Sequence, residues 1–447
     1  MLAPPVPIPG PRLPLVSMLR FMREPSTFMR ECALRYGDPF LLNVFGRWVV
    51  NFGDVEGARA VFTLAPEQTR PFQPSTLAPL LGANSLILIG GEAHRRERKL
   101  LTPPFHGARM RAYGELIRTL TRKHSAGWAI GRSFNIQDFT QTLTLDVIVQ
   151  AIFGVIEPER AQHFQRAVVA FVGEFNPLVL TLASMRKSLP WLDFSRPWQQ
   201  ARGRFDALSE LLLAEITQRR QDGSHETRQD ILSLLLSARY DDGSPMSDEQ
   251  IRDEMVTLLL AGHETTAISL SWLFFELGRK PRVVEKLRAE LAAMSHPDDA
   301  EELSRLPYLD AVCNEAQRRY PVLGWVPRTL AVPLEFRGYH LPAGMAVAVS
   351  VSLIHSRPDL YPEPDEFIPE RFLERKYSPF EFMPFGGGNR RCIGAAFASY
   401  EMKIILADIL RRYDFSAARP WAPPAIERRN LTLGPRGGVE ILVHRAR

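Results

Sequence analysis

The chain has 447 residues, of which 45% are hydrophobic and 23% charged, and this near-average composition excludes an intrinsically disordered protein. Three cysteines, Cys32, Cys313 and Cys392, are too few and too scattered for a disulfide framework or a zinc cluster. The net charge of +5 comes without a long Lys/Arg run, so nucleic acid is not favoured as a partner. The length alone would predict two or three domains.

The start of the chain lacks the features of a targeting segment. Residues 1–14 contain no basic segment followed by an apolar one, and no run near the ~20 apolar residues that a membrane helix needs. We therefore expect no membrane anchor and a cytoplasmic location. Proline recurs through this start, which predicts an extended N-terminal arm over residues 1–35.

The next elements indicate the fold class. Residues 40–52 predict two apolar strands around a Gly46-Arg47 turn. From Glu92 to about residue 280 the pattern is mostly helical, and after residue 320 short strands return between Pro and Gly residues. Because small sheets from both parts of the chain flank a helical body, the sequence predicts one interlocked, mainly helical α+β unit.

A long central helix is predicted from Ser247, which forms a capping box with Gln250, to Gly278 before Pro281. About thirty residues extend on the order of 45 Å. The centre is apolar on every face, so we expect this helix to be buried on all sides. Small and polar residues interrupt it at 261–266, Ala-Gly-His-Glu-Thr-Thr. Taken alone, this interruption is better explained by a kink or a helix-packing notch than by a function.

A second helix is predicted after Cys392-Ile393-Gly394, because apolar residues recur at helical spacing from Ala398 to Tyr413. The free N–H groups and the positive dipole end of this helix would stabilise a thiolate at Cys392. A cysteine before a helix is, by itself, weak evidence of function.

The segment 385–394, Phe-Gly-Gly-Gly-Asn-Arg-Arg-Cys-Ile-Gly, fits the pattern F-x-x-G-x-R-x-C-x-G at every fixed position. Through this segment the chain resembles the cytochrome P450 family. The resemblance implies haem b with the Cys392 thiolate as axial iron ligand, which favours O–O cleavage. The loop of Phe385 and Gly386 to Gly388 would approach the porphyrin, and Gly394 would leave room for the ring. The remaining alternative is a flexible glycine-rich turn with an uninvolved cysteine.

Two further motifs follow in the order found in the family. Glu315-Ala316-Gln317-Arg318 resembles its E-x-x-R pair, and Pro369-Glu370-Arg371-Phe372 resembles its P-E-R-F segment. The resemblance implies that Glu315, Arg318 and Arg371 form a buried ion network. Without the second motif, E-x-x-R would equally fit a solvated helix face.

His94 and Arg98 lie one helical turn apart and so face the same side. In similar sequences this pair contacts a haem propionate. By the same resemblance Arg328 and Arg390 would complete the clamp, since a guanidinium binds carboxylates bidentately. His355 is a candidate either for this contact or for a purely structural role.

Residues 261–266 match the family pattern A-G-x-[DE]-T-[TS] in the helix that crosses the distal face of the haem. By resemblance, Ala261 and Gly262 would leave space for dioxygen. Thr265 would hydrogen-bond the oxygen there, and Glu264 would supply protons through water. Many bacterial relatives have Asp at the position of Glu264, which leaves the geometry of the proton path open.

The resemblance covers nearly the whole chain and implies a single cytochrome P450 domain over residues 1–447, with a distal helix, a proximal helix after the cysteine loop and a small β region. We find no G-x-G-x-x-G fingerprint and no fused flavin or iron–sulfur domain. Electrons from NAD(P)H would therefore arrive through a separate ferredoxin or flavodoxin with its reductase, and a monomer is expected. The residues that would steer an acidic partner, or would only be solvated charges, are Arg95, Arg96, Lys99 and Arg391.

The segments that would line the substrate pocket are mainly apolar. They predict an uncharged or amphipathic lipophilic ligand, such as a fatty acid, terpenoid, steroid or macrocyclic natural product. The expected reaction inserts one oxygen atom from O2 into a C–H or C=C bond of this ligand. The candidate pocket residues are Leu77, Leu88, Phe171, Phe175, Leu258, Ala261, Val322, Trp325, Val326, Leu431 and Thr432.

Two alternatives differ in mechanism. A peroxide-driven peroxygenase on the same fold would need no redox partner, but such enzymes usually lack the acid–alcohol pair that Glu264 and Thr265 provide. A non-catalytic haem protein would be expected to have lost Cys392 or Thr265, and this chain has both.

Overall fold

The computed structural model describes residues 6–44, 46–107, 109–154, 158–174, 195–429 and 431–446. Helices dominate the chain up to residue 319, and the strands lie mainly in its first and last parts. The described helices are α1 Pro14–Arg23, α2 Pro25–Tyr36, α3 Val55–Phe62, α4 Pro74–Leu81, α5 Gly91–Leu101, α6 Arg109–Ser125, α7 Ile136–Phe153, α8 Pro158–Val172, α9 Ser195–Asp222, α10 Ile231–Ser237, α11 Asp248–Arg279, α12 Pro281–Ala292, α13 Ala300–Ser304, α14 Pro307–Arg319, α15 Val351–His355, α16 Arg371–Glu374 and α17 Ala395–Arg412.

The strands form four small sheets. The described strands are β1 Phe40–Val44, β2 Arg47–Phe52, β3 Thr69–Arg70, β4 Ser133–Asn135, β5 Val326–Leu330, β6 Leu334–Phe336, β7 Tyr339–Leu341, β8 Ala346–Val349, β9 Tyr413–Ala417, β10 Ile426–Arg428, β11 Leu433–Pro435 and β12 Glu440–Ala446. The largest sheet has the order β1-β2-β8-β5-β3, so it joins strands from the two ends of the chain. The others pair β4-β12-β9, β6-β7 and β10-β11.

The predicted hairpin at residues 40–52 is confirmed. β1 and β2 are antiparallel, and Val44 is opposite Arg47. Gly46 has a φ of +76° and lies at the turn, where the left-handed backbone favours glycine. Arg47, which the sequence assigned to the turn, is instead the first residue of β2.

The long central helix is α11. Its capping box is present, since the Ser247 hydroxyl accepts from the Gln250 N–H at 3.1 Å and the Gln250 side chain accepts from the Ser247 N–H at 2.8 Å. The helix has 32 residues, about 48 Å at 1.5 Å each. Among the described residues it alone is long and apolar enough to span a membrane, but 78% of its most apolar window is buried inside the protein. Core packing accounts for this apolar composition.

The N-terminal arm predicted over residues 1–35 is wrong for most of its length, because residues 14–36 form α1 and α2. Both helices begin with proline at the first helical position, Pro14 and Pro25. Proline is favoured there, because the N–H that it lacks has no intrahelical acceptor. The extended part is confined to residues before α1, where the Pro9 carbonyl accepts from the Leu41 N–H at 2.8 Å.

Gly278 lets α11 pass close to β9. A Cβ at this position would lie 2.3 Å from the backbone nitrogen of Ala417, which cannot rotate away. We expect Gly278→Ala to lower the free energy of unfolding by about 1–3 kcal/mol through overpacking, although helix propensity alone predicts a gain of about 1 kcal/mol. Urea unfolding measures the difference.

The matched control is Gly203→Ala in α9. Gly203 is exposed, and a Cβ there would meet nothing within 4 Å. We expect this variant to be neutral or slightly stabilised. Equal effects of the two substitutions would contradict the packing argument for Gly278.

Candidate functional site

The cysteine loop ends where α17 begins. The Cys392 N–H donates to the Phe385 carbonyl at 2.9 Å, which closes the loop. The Cys392 side chain is exposed, yet it lies close enough to protein atoms that burial raises the pKa of its thiol. The N–H of Gly394 and the charges of Arg391 and Arg98 act in the opposite direction and favour the thiolate. The loop therefore presents one accessible sulfur beside donors and cations.

Two positions of this loop must be glycine for a packing reason that differs from the predicted one. Gly388 has a φ of +67°, and a Cβ on it would lie 2.2 Å from the Phe62 carbonyl oxygen. A Cβ on Gly387 would lie 2.3 Å from the Phe62 ring. Contact with the end of α3, rather than with a porphyrin, thus demands glycine at 387 and 388. A Cβ on Gly386 or Gly394 would meet no atom within 4 Å, so open space remains beside these two glycines for the predicted approach.

Four side chains predicted to contact propionates converge on one place, namely the three guanidinium groups of Arg98, Arg328 and Arg390 and the neutral ring of His94. Burial lowers the pKa of His94 to about 3, and the second cause is the positive charge of Arg390. Arg98 and Arg328 add smaller contributions in the same direction. Burial lowers the pKa of Arg328 and of Arg390 to about 10. Among the described residues none of the four forms an ion pair with a carboxylate, so the cluster suits an anion with two carboxylates.

Ala261 and Thr265 open one face of the otherwise buried α11. Ala261 is exposed and Thr265 is partly exposed, while most residues around them are buried. They lie one turn apart, and the Thr265 hydroxyl donates to the Ala261 carbonyl at 2.7 Å. This face therefore combines a small side chain with a hydroxyl, as the predicted oxygen site requires.

Gly262 packs closely against α7, and its predicted role beside dioxygen stays a prediction. A Cβ on Gly262 would lie 2.7 Å from Cδ1 of Ile148 on α7. Nearby, the Thr144 hydroxyl donates to the His263 carbonyl at 2.9 Å. The glycine is a helix-packing notch, which is the explanation that the isolated segment favoured.

Glu264 lies three residues after Ala261 on the same helix. It is buried, and it lines a cleft between α7, α8 and the β10–β11 hairpin together with His263 and Asp146. Glu264 is thus buried beside this cleft, while Thr265 is partly exposed next to Ala261. A proton moving from one to the other needs an intervening water or a change of side-chain conformation.

Glu315, Arg318 and Arg371 form one buried ion network. Arg318 donates to both carboxylate oxygens of Glu315, at 2.7 and 2.8 Å, and Arg371 donates to Glu315 at 3.2 Å. The remaining Arg318 donors reach the carbonyls of His355, Pro364 and Glu366 at 2.9 to 3.0 Å. The network therefore ties α14 to the segment that precedes the cysteine loop.

His355 is hydrogen-bonded through one ring nitrogen, while its Nδ1 is buried without a partner among the described residues, so its predicted contact to a haem propionate stays a prediction. Its Nε2 accepts from the Met383 N–H at 3.0 Å, and its ring stacks on Phe382. Burial, followed by the charge of Arg318, lowers the pKa of His355 to about 3, so the ring is neutral and can accept this bond. His355 supports the chain just before the cysteine loop.

The predicted pocket residues fall into two groups. Trp325 is partly exposed; its indole N–H donates to Asn51 at 2.7 Å and its ring packs against Phe21 and Phe72, and its place in the pocket stays a prediction. Phe171 is fully buried against Phe205, and Phe175 lies outside the described residues. The remaining candidates are apolar or small residues with varied exposure, namely Leu77, Leu88, Leu258, Ala261, Val322, Val326, Leu431 and Thr432.

The predicted basic patch is largely neutralised within the chain. Arg96 pairs with Asp242 at 3.1 Å, Lys99 pairs with Asp241, and Arg95 pairs with Glu92 at 2.8 Å. These pairs are exposed and so contribute little to stability. Arg391 is exposed and forms no ion pair among the described residues, so it alone of the four keeps the predicted character.

Two residues that shape the site have no sequence signal. Phe62 sets the course of the cysteine loop. Asp253 on α11 accepts from the backbone N–H of Asn84 at 3.0 Å and from its side-chain amide at 2.8 Å. This contact holds the loop before Leu88 although the partners are 169 positions apart.

Comparisons with known proteins agree over nearly the whole length. A family model described as Cytochrome P450 matches residues 4–442. A Mycobacterium tuberculosis protein assigned as cytochrome P450 135B1 is 36% identical over 413 residues, 91% of this chain and 85% of that protein. Another, assigned as cytochrome P450 138, is 35% identical over 444 residues, 98% and 95% of the two chains. The structure of retinoic acid bound cyanobacterial CYP120A1 has a TM-score of 0.85 at 27% identity, covering 98% of this chain and 100% of that one. The predicted fold class, mainly helical α+β with small sheets, is confirmed.

Proposed function

The chain belongs to the cytochrome P450 family of haem b monooxygenases, and from this premise we propose that it inserts one oxygen atom of O2 into a C–H or C=C bond of a lipophilic small molecule. The observation that carries the proposal is the arrangement of an accessible Cys392 beside a cluster of cations that lack a counter-ion among the described residues. Oxygen activation requires electrons from a redox partner, as in the family.

The residues fit haem b. Cys392 would hold the iron through its sulfur, and His94, Arg98, Arg328 and Arg390 would hold the two propionates. The fit rests on the three arginines, since converging guanidinium groups with no carboxylate among the described residues are costly unless an anion joins them. When bound, the cofactor supplies a redox-active iron that activates O2 for attack on an unactivated carbon.

The residues of α11 would control protons. Thr265 carries the hydroxyl nearest to the exposed face, and exchanging its bond to the Ala261 carbonyl would free that hydroxyl to donate. Glu264 would take protons from its cleft and pass them through water to Thr265. Leu258 and Ala261 on the same face would exclude bulk water beside the substrate.

Replacing Thr265 with alanine should uncouple the reaction. We expect unchanged haem content but about tenfold or more lower product per NAD(P)H, because electrons leave as hydrogen peroxide when the proton is not delivered in place. Parallel assays of NAD(P)H, product and peroxide measure the coupling. Ser269→Ala is the matched control, since that hydroxyl donates to the Thr265 carbonyl one turn further along. Unchanged coupling in Thr265→Ala would remove the proton role from this residue.

The proposed substrate class follows from the apolar candidate pocket residues. A fatty acid, terpenoid, steroid or macrocyclic natural product would bury its carbon skeleton against Leu88, Leu258 and Val326. The similar cyanobacterial structure is bound to retinoic acid, which is a compound of this kind. Binding screens that follow the Soret band of the holoenzyme test the class.

The electron donor is proposed to be a separate acidic ferredoxin or flavodoxin with its NAD(P)H-dependent reductase. Arg391 lies next to Cys392, is exposed, and has no ion-pair partner within the described ranges, so it offers a positive charge on that side of the protein. We further propose that the whole chain is one domain and acts as a cytoplasmic monomer. Turnover that is faster with hydrogen peroxide alone than with a ferredoxin system would favour the peroxygenase alternative.

A further inference from the structure

Arg428, on β10, is a cation for which the described residues provide no anion. Its Nε is buried without a hydrogen-bond acceptor, and no carboxylate among the described residues forms an ion pair with it. Its guanidinium lies over the Phe21 ring, 4.7 Å from the ring centre. Burial lowers the pKa of Arg428 to about 10 and is the only cause of that shift. Keeping an unpaired charge in such a place is costly.

In the part of the chain that the structure describes, three arginines share the same lowered pKa of about 10, namely Arg328, Arg390 and Arg428. The first two belong to the cation cluster around His94 and are accounted for by the haem propionates. Arg428 is not among the cations that influence His94. Binding of the haem propionates therefore does not account for the positive charge of Arg428.

Arg428 lies where two proposed substrate segments meet. It is opposite Leu433 in the β10–β11 hairpin, whose connection contains Leu431 and Thr432. The Thr432 hydroxyl is buried and has no hydrogen-bond partner among the described residues. On its other side, Arg428 stacks on Phe21, whose ring packs edge-on against Trp325 in the segment 322–326, 5.4 Å between centres.

The charged residues nearest in the hairpin do not neutralise Arg428. Glu427 pairs with Arg436 across the two strands at 3.3 Å, and its carboxylate contributes nothing to the pKa of Arg428. The Phe21 ring lies against the guanidinium, and the Nε of Arg428, which has no acceptor among the described residues, is available to a planar anion.

We propose that Arg428 binds a carboxylate carried by the lipophilic substrate of this enzyme. The inference rests on the proposed function and narrows its substrate class from neutral or amphipathic lipids to lipophilic carboxylic acids. The guanidinium would hold the carboxylate in a bidentate pair and so fix one end of the substrate. That pair would determine which carbon of the chain reaches the oxidising centre.

The test compares acids with their methyl esters on the holoenzyme. The probes are dodecanoic acid and abietic acid, each beside its ester, and calorimetry gives each Kd at pH 7.5. For at least one skeleton we expect the acid to bind about tenfold or more tightly than the ester. In Arg428→Gln this preference should fall below about threefold through weaker binding of the acid alone. Arg428→Lys should restore part of it, because the charge is kept.

Arg436→Gln is the matched control, since it removes an exposed cation from the same hairpin and should keep the preference for the acid. Arg428→Gln should not lower Tm, because it removes an unpaired cation. Acid and ester binding equally in the wild type, no binding of either acid, or an unchanged preference in Arg428→Gln would each overturn the inference. If the haem-bound enzyme still binds and oxidises neutral lipophilic ligands in those cases, the proposed function holds although the inference fails.

Discussion

Replacing Cys392 with alanine is expected to abolish the strongly red-shifted Soret band of the reduced, carbon monoxide-treated protein. That band reports a thiolate on the haem iron, and Cys392 is the cysteine whose sulfur is exposed beside the Gly394 N–H and Arg98. Monooxygenase turnover should fall to background, because the thiolate supplies the electron density that favours O–O cleavage. The difference spectrum should be measured on protein whose haem content is known.

The other two cysteines are matched controls for this experiment. Cys32 and Cys313 are buried, and burial raises the pKa of their thiols to about 11 and about 12. Neutral, buried thiols cannot ligate the iron, so Cys32→Ala and Cys313→Ala should keep the band. A red-shifted band that persists in haem-loaded Cys392→Ala would refute the assignment of the axial ligand.

Glu315→Gln is expected to cost about 3–5 kcal/mol of folding free energy, because it leaves two buried guanidinium groups without their common anion. Glu315 is fully buried and joins Arg318, Arg371 and the N–H of Ile368, the last at 2.9 Å. The same change should loosen the segment that leads to the cysteine loop and increase the rate of haem loss. Urea unfolding and transfer of haem to an acceptor protein measure the two effects.

Asp365→Asn is the control for the network, since Asp365 pairs with the adjacent Arg319 at 2.7 Å but is exposed. Exposed pairs contribute about 0–1 kcal/mol, so this variant should unfold close to the wild type. If Glu315→Gln were no more destabilising than Asp365→Asn, burial would not be the source of the stability of the network.

Local patterns in the sequence determined much of the fold. The capping box at Ser247 and Gln250 and the proline after Arg279 set the ends of α11, because capping depends on residues a few positions apart. The spacing of the cysteine motif and of the apolar residues after it located α17 for the same reason. At residues 14–36 the prolines led to the wrong prediction of an extended arm, because proline favours both an extended chain and the first turn of a helix.

Which residues come together at the site, by contrast, was decided by the tertiary structure. Family motifs named His94, Arg98, Arg328 and Arg390, but only the folded chain shows that they converge without a carboxylate among the described residues. Likewise, only the folded chain shows that the indole N–H of Trp325 donates to Asn51.

The ion pairs and the close glycine contacts also could not be predicted from the sequence alone. The sequence alone predicts that Arg96 and Lys99 carry free positive charge. In the structure they form ion pairs with Asp242 and Asp241. Position 388 must be glycine because a side chain there would collide with Phe62, which is far away in the sequence. Periodicity and capping act over a few residues and can be read from the chain, whereas ion pairing and close packing depend on which distant segments meet.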